Sequence, residues 1–121
     1  MNIVNLRGRL TTAPEVNYTK DGASVVSFTL AVPDRLGQRD KDGNFPADFI
    51  RCVMFGKEAE VMEAYGVKGT EIILTGKIKT GSYTKDDVKH FTTEVQSMYF
   101  EFVSGTKSKE NNSKKQEKTG K

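Results

Sequence analysis

Phe49-Ile50-Arg51-Cys52-Val53-Met54-Phe55-Gly56-Lys57 is the densest β-prone stretch of the chain, and its two faces differ in kind. Successive side chains of a strand point to opposite sides, so Ile50, Cys52 and Met54 share one face while Phe49, Arg51, Val53 and Phe55 share the other. The first set is a core face. The second mixes aromatic rings with a guanidinium, which suits a platform that stacks bases and neutralises phosphates. Taken alone the stretch also fits an ordinary two-sided strand with Phe49 and Phe55 in the core and Arg51 at an edge, so its neighbours decide.

Toward the N-terminus, Asn2 to Leu10 alternates Val4, Leu6, Gly8 and Leu10 against Asn5, Arg7 and Arg9, the period of a half-buried strand. Gly8 inside it predicts a bulge or a close approach of another backbone, as at a barrel corner. Pro14 interrupts the ladder, having no donor to give it. Val16-Asn17-Tyr18, the turn residues Lys20-Asp21-Gly22 and Ser24 to Val32 read as a hairpin. Its second arm sets Val26, Phe28, Leu30 and Val32 against the small residues Ser27, Thr29 and Ala31, a face that fits under a ligand or another strand. Pro33 to Pro46 has no apolar period and reads as a long polar, mobile loop, of the kind that is usually functional; composition alone fits a solvated hairpin tip of mixed charge equally well.

Toward the C-terminus, Lys57 to Tyr65 places Ala59, Met62 and Tyr65 at helical spacing and turns Glu58, Glu60 and Glu63 outward, predicting a short helix that plugs one end of a barrel. Thr70 to Lys79 is a strand with Ile72, Leu74, Gly76 and Ile78 opposed to Ile73, Thr75, Lys77 and Lys79. Gly81 to His90 reads as a hairpin arm and tip carrying Tyr83, Lys85 and Lys89, and Phe91 to Phe102 as the last strand. Residues 1–103 thus form one domain. Residues 104–121 hold no apolar side chain of any size and are predicted to be a disordered tail.

The 121 residues carry a net charge of +3, unevenly distributed. From Ser104 onward six Lys face two Glu, so the tail is basic while residues 1–103 hold 13 basic against 14 acidic groups. A phosphate-binding surface therefore requires local segregation of charge. The start, Met1-Asn2-Ile3-Val4-Asn5, lacks the basic and apolar blocks of a signal peptide and no run reaches membrane-span length, predicting a cytoplasmic protein without a membrane partner. Cys52 has no cysteine partner and reads as a small buried hydrophobe. The chain has one histidine, His90, placed on a loop, and no phosphate loop or ligand pair for a metal, which predicts neither an enzyme nor a cofactor.

Strand, strand, strand, helix, strand, strand is the order of the OB-fold, a five-stranded Greek-key barrel whose face and loops bind oligonucleotides or oligosaccharides. The predicted fold class is therefore all-β, with one helix between the third and fourth long strands. Arg7, Arg9, Arg51, Lys77 and Lys79 ride on strands, interleaved with Phe49, Phe55 and Tyr83.

Leu6-Arg7-Gly8-Arg9-Leu10-Thr11, Pro14-Glu15-Val16, Phe28 to Val32, Asp48 to Lys57, Thr75-Gly76-Lys77-Ile78, Ser82-Tyr83 and Thr93-Glu94-Val95 together resemble the bacterial-type single-stranded DNA-binding proteins over residues 1 to about 102. The resemblance implies an OB-fold, usually a homotetramer, that coats single-stranded DNA without sequence preference in replication, recombination and repair. By position it makes Phe49, Phe55 and Tyr83 stacking residues and Arg7, Arg51, Lys57 and Lys77 backbone contacts. It sets Leu36 near a position where the family often has an aromatic. Arg9, Lys79 and Lys85 complete the candidate DNA-binding set. Each stacked base is worth roughly 1–3 kcal/mol, and each neutralised phosphate contributes about −0.7 to the salt slope. Tryptophan, common in the family at the positions of Phe49 and Tyr83, is absent. The chain ends in lysines where the family usually carries an acidic tip that recruits replication and repair enzymes, which suits a phage- or plasmid-encoded form and leaves host partners open. The competing readings are an RNA-binding or primosome-type OB protein and a protein-interaction adaptor whose partner meets the Phe49 face.

Overall fold

The computed structural model describes residues 1–103, and the expected disordered tail lies outside them. Six strands and one helix follow in the order β1 (Val4–Leu10), β2 (Glu15–Tyr18), β3 (Ser24–Pro33), β4 (Ala47–Phe55), α1 (Gly56–Tyr65), β5 (Glu71–Lys85) and β6 (Val88–Phe102). Hydrogen-bonded neighbours run β1-β5-β6-β4-β3-β2, and β1 turns back to pair with β3. That last pairing closes β1, β3, β4, β6 and β5 into a five-stranded barrel and leaves β2 as an outer arm on β3, the OB-fold arrangement. All pairings are antiparallel except β4 with β6, where Cys52 lies opposite Val95.

Alternation drives this arrangement. Leu10, Val26, Leu30, Cys52, Met54, Ile72 and Leu74 point inward and are essentially removed from water, each burial worth about 1.5–3 kcal/mol for a side chain of this size. Burial pushes the Cys52 thiol up to about 12, with Glu94 adding to the rise and Arg51 opposing it, so the thiol stays protonated. Ala59 and Met62 from α1 join the same core, and Tyr65 meets Phe102 edge-on with centroids 6.5 Å apart. The helix is the barrel plug that its spacing predicts. Its acids are not all solvated, however. Glu58 accepts a hydrogen bond from Ser97 Oγ at 2.9 Å, and Glu63 one from Tyr18 Oη at 3.4 Å.

Glycine is required where strands cross closely. A Cβ on Gly8 would sit 2.5 Å from the Ala31 carbonyl oxygen, and one on Gly76 2.4 Å from that of Gln96. Gly76 also marks a register shift between β5 and β6 that skips Met98. Beyond it the two strands leave the barrel as a long hairpin closed by Asp86 and Asp87, both at positive φ (53° and 65°), as a two-residue turn of right-handed strand twist demands. Residues 81–90 are therefore mostly strand, the turn being two residues long. His90, expected on a loop, lies in β6 directly opposite Tyr83.

The β3–β4 loop makes its own backbone contacts. Asp34 N–H donates to the Pro46 carbonyl at 2.8 Å, and Asp40 Oδ1 accepts from Asp42 N–H and Asn44 N–H at 2.9 and 3.0 Å.

Candidate nucleic-acid interface

Strand register assembles the outer face of the barrel. Residues directly opposite one another share a face, so Arg9, Ala31 and Phe49 form one row across β1, β3 and β4. A second row runs Lys77, Gln96, Val53, Ser27 and Glu15 across β5, β6, β4, β3 and β2. Arg51 stands between the rows opposite Thr29, and Phe55 ends the strand opposite Val25. The small residues of β3 thus form a low floor beside Phe49 and Arg51, and the rings rise above it. Phe49 is 69% exposed and Phe55 48%. Neither is a core residue, which removes the ordinary two-sided reading of β4.

The arginines on this face are held in place by carboxylates. Arg51 Nη2 donates to Ser27 Oγ at 3.1 Å and lies 3.7 Å from Glu15 Oε1. Arg7 Nε and Arg9 Nη2 reach the two oxygens of Glu71 at 3.0 and 3.2 Å, and Arg9 Nη1 also donates to the Gly69 carbonyl at 3.0 Å. Glu71 is the more buried partner, its side chain 20% exposed. It anchors both guanidinia from below while they face solvent. Exposed pairs of this kind are worth only about 0–1 kcal/mol, so an incoming phosphate can exchange for the carboxylate.

The other candidate residues lie around this centre. Lys79 continues the row direction of Lys77 on β5, opposite Glu94. Tyr83 lies on the hairpin, stacked on His90 with centroids 5.0 Å apart and planes 15° from parallel, and Lys85 is beside the turn. Leu36 is 98% exposed on the β3–β4 loop. Lys57, at the start of α1, lines a separate cleft with Tyr99 and Phe102. The sheet face therefore brings together Arg9, Phe49, Arg51, Phe55 and Lys77; Leu36 lies on the β3–β4 loop and Tyr83 and Lys85 on the hairpin, and Lys57 is not brought to this face.

A cation–aromatic cluster in the β3–β4 loop lies outside the residues that strand alternation singles out. The Arg39 guanidinium carbon stands 4.2 Å from the Phe45 ring centroid and that of Arg35 5.4 Å. Arg35 also shares a cleft with Arg7, Val32, Pro33 and Glu71. An aromatic and arginines inside an otherwise polar loop are the signal that marks it. Among the described residues no three His, Cys, Asp or Glu side chains converge as a metal ion requires, and no helix is long and apolar enough to cross a membrane.

Comparison with known proteins matches residues 1–103 to the model of the single-strand binding protein family. A single-stranded DNA-binding protein of Clostridium perfringens is 41% identical over 105 residues, covering 85% of this chain and 66% of the relative. Single-stranded DNA-binding protein 2 of Streptococcus agalactiae serotype V is 39% identical over 102 residues, 84% of this chain and 76% of its own length. A single-stranded DNA-binding protein of Enterococcus faecalis is 38% identical over 104 residues, covering 85% of this chain and 54% of the relative. The chain thus spans between about half and three quarters of the length of these relatives.

Proposed function

The chain belongs to the single-strand binding protein family, and on that premise we propose that residues 1–103 are a domain that binds single-stranded DNA without sequence preference, in replication, recombination and repair. The role is binding, not catalysis. What supports it most is the exposed face on which Phe49 and Phe55 alternate with Arg51, with Arg9 in the row of Phe49 and Lys77 in the row of Val53 between Arg51 and Phe55. Aromatic rings accept any base because every base has a π-face, and the cations track the backbone. Arg7, Lys57, Lys79 and Lys85 extend the phosphate path, and Leu36 and Tyr83 supply further contact at the rim. Assembly as a homotetramer and a cytoplasmic location complete the proposal.

The test is fluorescence-anisotropy titration of a labelled oligo-dT across a salt series, with duplex DNA and RNA of equal length as competitors. Three to seven neutralised phosphates give a log–log slope of about −2 to −5 for single strands, with weak competition by duplex and RNA. Equal competition by RNA favours the RNA-binding alternative. Failure to bind at low salt overturns the proposal and leaves a protein partner for the Phe49 face.

Carboxylate exchange gives a second expected result. Glu71→Gln removes the charge that competes with DNA for Arg7 and Arg9, so it should tighten binding by up to about fivefold, the worth of an exposed ion pair. Weaker binding by the variant would mean that Glu71 positions the arginines and does not compete for them.

A further inference from the structure

The β5–β6 hairpin is exposed along its whole length, residues 79–93 all lying on the surface. Facing pairs alternate between its two sides. Tyr83 and His90 share one side with Lys85 and Val88, while Ser82 and Phe91 share the other with Thr84 and Lys89. The Tyr83 side continues the outer face of the barrel through Lys79 and Lys77. The Phe91 side is the reverse.

Phe91 is 77% exposed, more than Phe49 or Phe55. A core function does not account for a ring so placed. Lys89 Nζ stands 5.3 Å from its centroid, and the ring lines an open cleft of ≈ 370 Å³ with Thr80, Gly81, Ser82, Thr92 and Thr93. Hydroxyls and one cation surround the ring, and none of the residues lining the cleft is a carboxylate. A flat ring, a cation and hydroxyl donors are the components that hold a base and its phosphate, and the cleft adjoins the proposed DNA face across the thickness of a single hairpin.

We propose that Phe91 and Lys89 form a second stacking site for an unpaired base of the same DNA strand, on the reverse side of the hairpin from Tyr83. The strand then crosses the hairpin and engages both sides, which lengthens the site covered by one subunit. This rests on the proposed single-strand reading and adds to it a contact that the sheet face does not supply.

The chain contains no tryptophan, so a single Trp is a unique fluorophore at either place. Phe91→Trp and, separately, Phe49→Trp are titrated with oligo-dT of about 30 nucleotides, long relative to the 4–16 nucleotides an OB-fold covers. Quenching of both reporters is the expected result. Quenching of Phe49→Trp alone overturns the second site and leaves the sheet-face reading intact, whereas quenching of neither overturns the reading itself. In parallel, Phe91→Ala should weaken binding of the long oligonucleotide by roughly 5- to 150-fold, the worth of one stacked base, and weaken an oligonucleotide of about 6 nucleotides, which cannot fill every stacking site at once, by less. Unchanged affinity for the long strand would overturn the proposal. Phe91 is exposed within the subunit, and melting curves and sedimentation of each variant beside the titrations separate loss of the contact from loss of folding or assembly.

Discussion

A chain carrying both Phe49→Ala and Phe55→Ala should bind oligo-dT at least about 30-fold more weakly than the parent, since two stacked bases are worth roughly 2–6 kcal/mol and each 1.4 kcal/mol is a factor of ten. The two rings stand six residues apart on one strand, about 20 Å at a rise near 3.3 Å per residue. At that distance they meet different bases, and the single losses should add. Folding should survive. Phe49 is 69% exposed and Phe55 about half exposed, so truncation removes little buried apolar area, and a surface substitution of this kind typically costs under about 0.5 kcal/mol for Phe49 and somewhat more for Phe55. Circular dichroism melts alongside the anisotropy titration separate the two effects. Affinity within twofold of the parent would mean that β4 is not a stacking platform, and the adaptor reading of the Phe49 face would take its place. Arg51→Ala should behave differently, lowering the salt slope by about 0.7 with a modest loss of affinity, because it removes a phosphate contact and leaves the rings in place.

Much of this surface is legible in the residue pattern itself. Alternation assigns Phe49, Arg51 and Phe55 to one face of β4 and Cys52 and Met54 to the other, because only the inward set is uniformly apolar. It fails where neither face is buried. From Gly81 to His90 the hairpin is exposed on both sides, so no period distinguishes strand from loop, and the pattern puts His90 on a loop when it belongs to β6. Asp86-Asp87 is also a weaker hairpin signal than Asn-Gly or Asp-Gly, so the register that stacks Tyr83 on His90 cannot be counted from the turn. The carboxylate partners are out of reach for a different reason. Glu71 lies 64 and 62 residues from Arg7 and Arg9, and only the antiparallel register of β1 on β5 sets them side by side. The same holds for Arg51, whose partners Ser27 and Glu15 come from two other strands.

Gly8 is the case in which a single residue type announces a three-dimensional contact, and its replacement should produce a large loss of stability. In an extended strand, Gly→Ala at a compatible site stabilises a protein by about 0.4–1 kcal/mol, because the unfolded chain has less freedom to lose. At Gly8 the sign should invert. The added Cβ would lie 2.5 Å from the Ala31 carbonyl oxygen, with the Ala31 carbonyl carbon and Val32 Cγ2 each at 3.1 Å. The first of these is backbone, so no rotamer relieves it. Even a weak C–H···O contact settles at about 3.3 Å or more, which forces β1 away from β3 by nearly 1 Å. The barrel closes there through only two facing pairs, Arg9 with Ala31 and Leu10 with Leu30, and both leucines are buried. Overpacking of this kind costs typically 1–3 kcal/mol, so Gly8→Ala should melt about 5–20 °C below the parent at about 4–8 °C per kcal/mol. Gly8→Val, with two further methyls at the same crossing, should fall lower still. The shift reaches function as well, because Arg9, Ala31 and Phe49 occupy one row. Below its melting transition Gly8→Ala should therefore bind oligo-dT more weakly than the parent, while the exposed-site control Thr12→Ala does not. A melting temperature equal to or above that of the parent for Gly8→Ala would mean that β1 and β3 are not in close contact at this corner, and that the barrel closes by some other route.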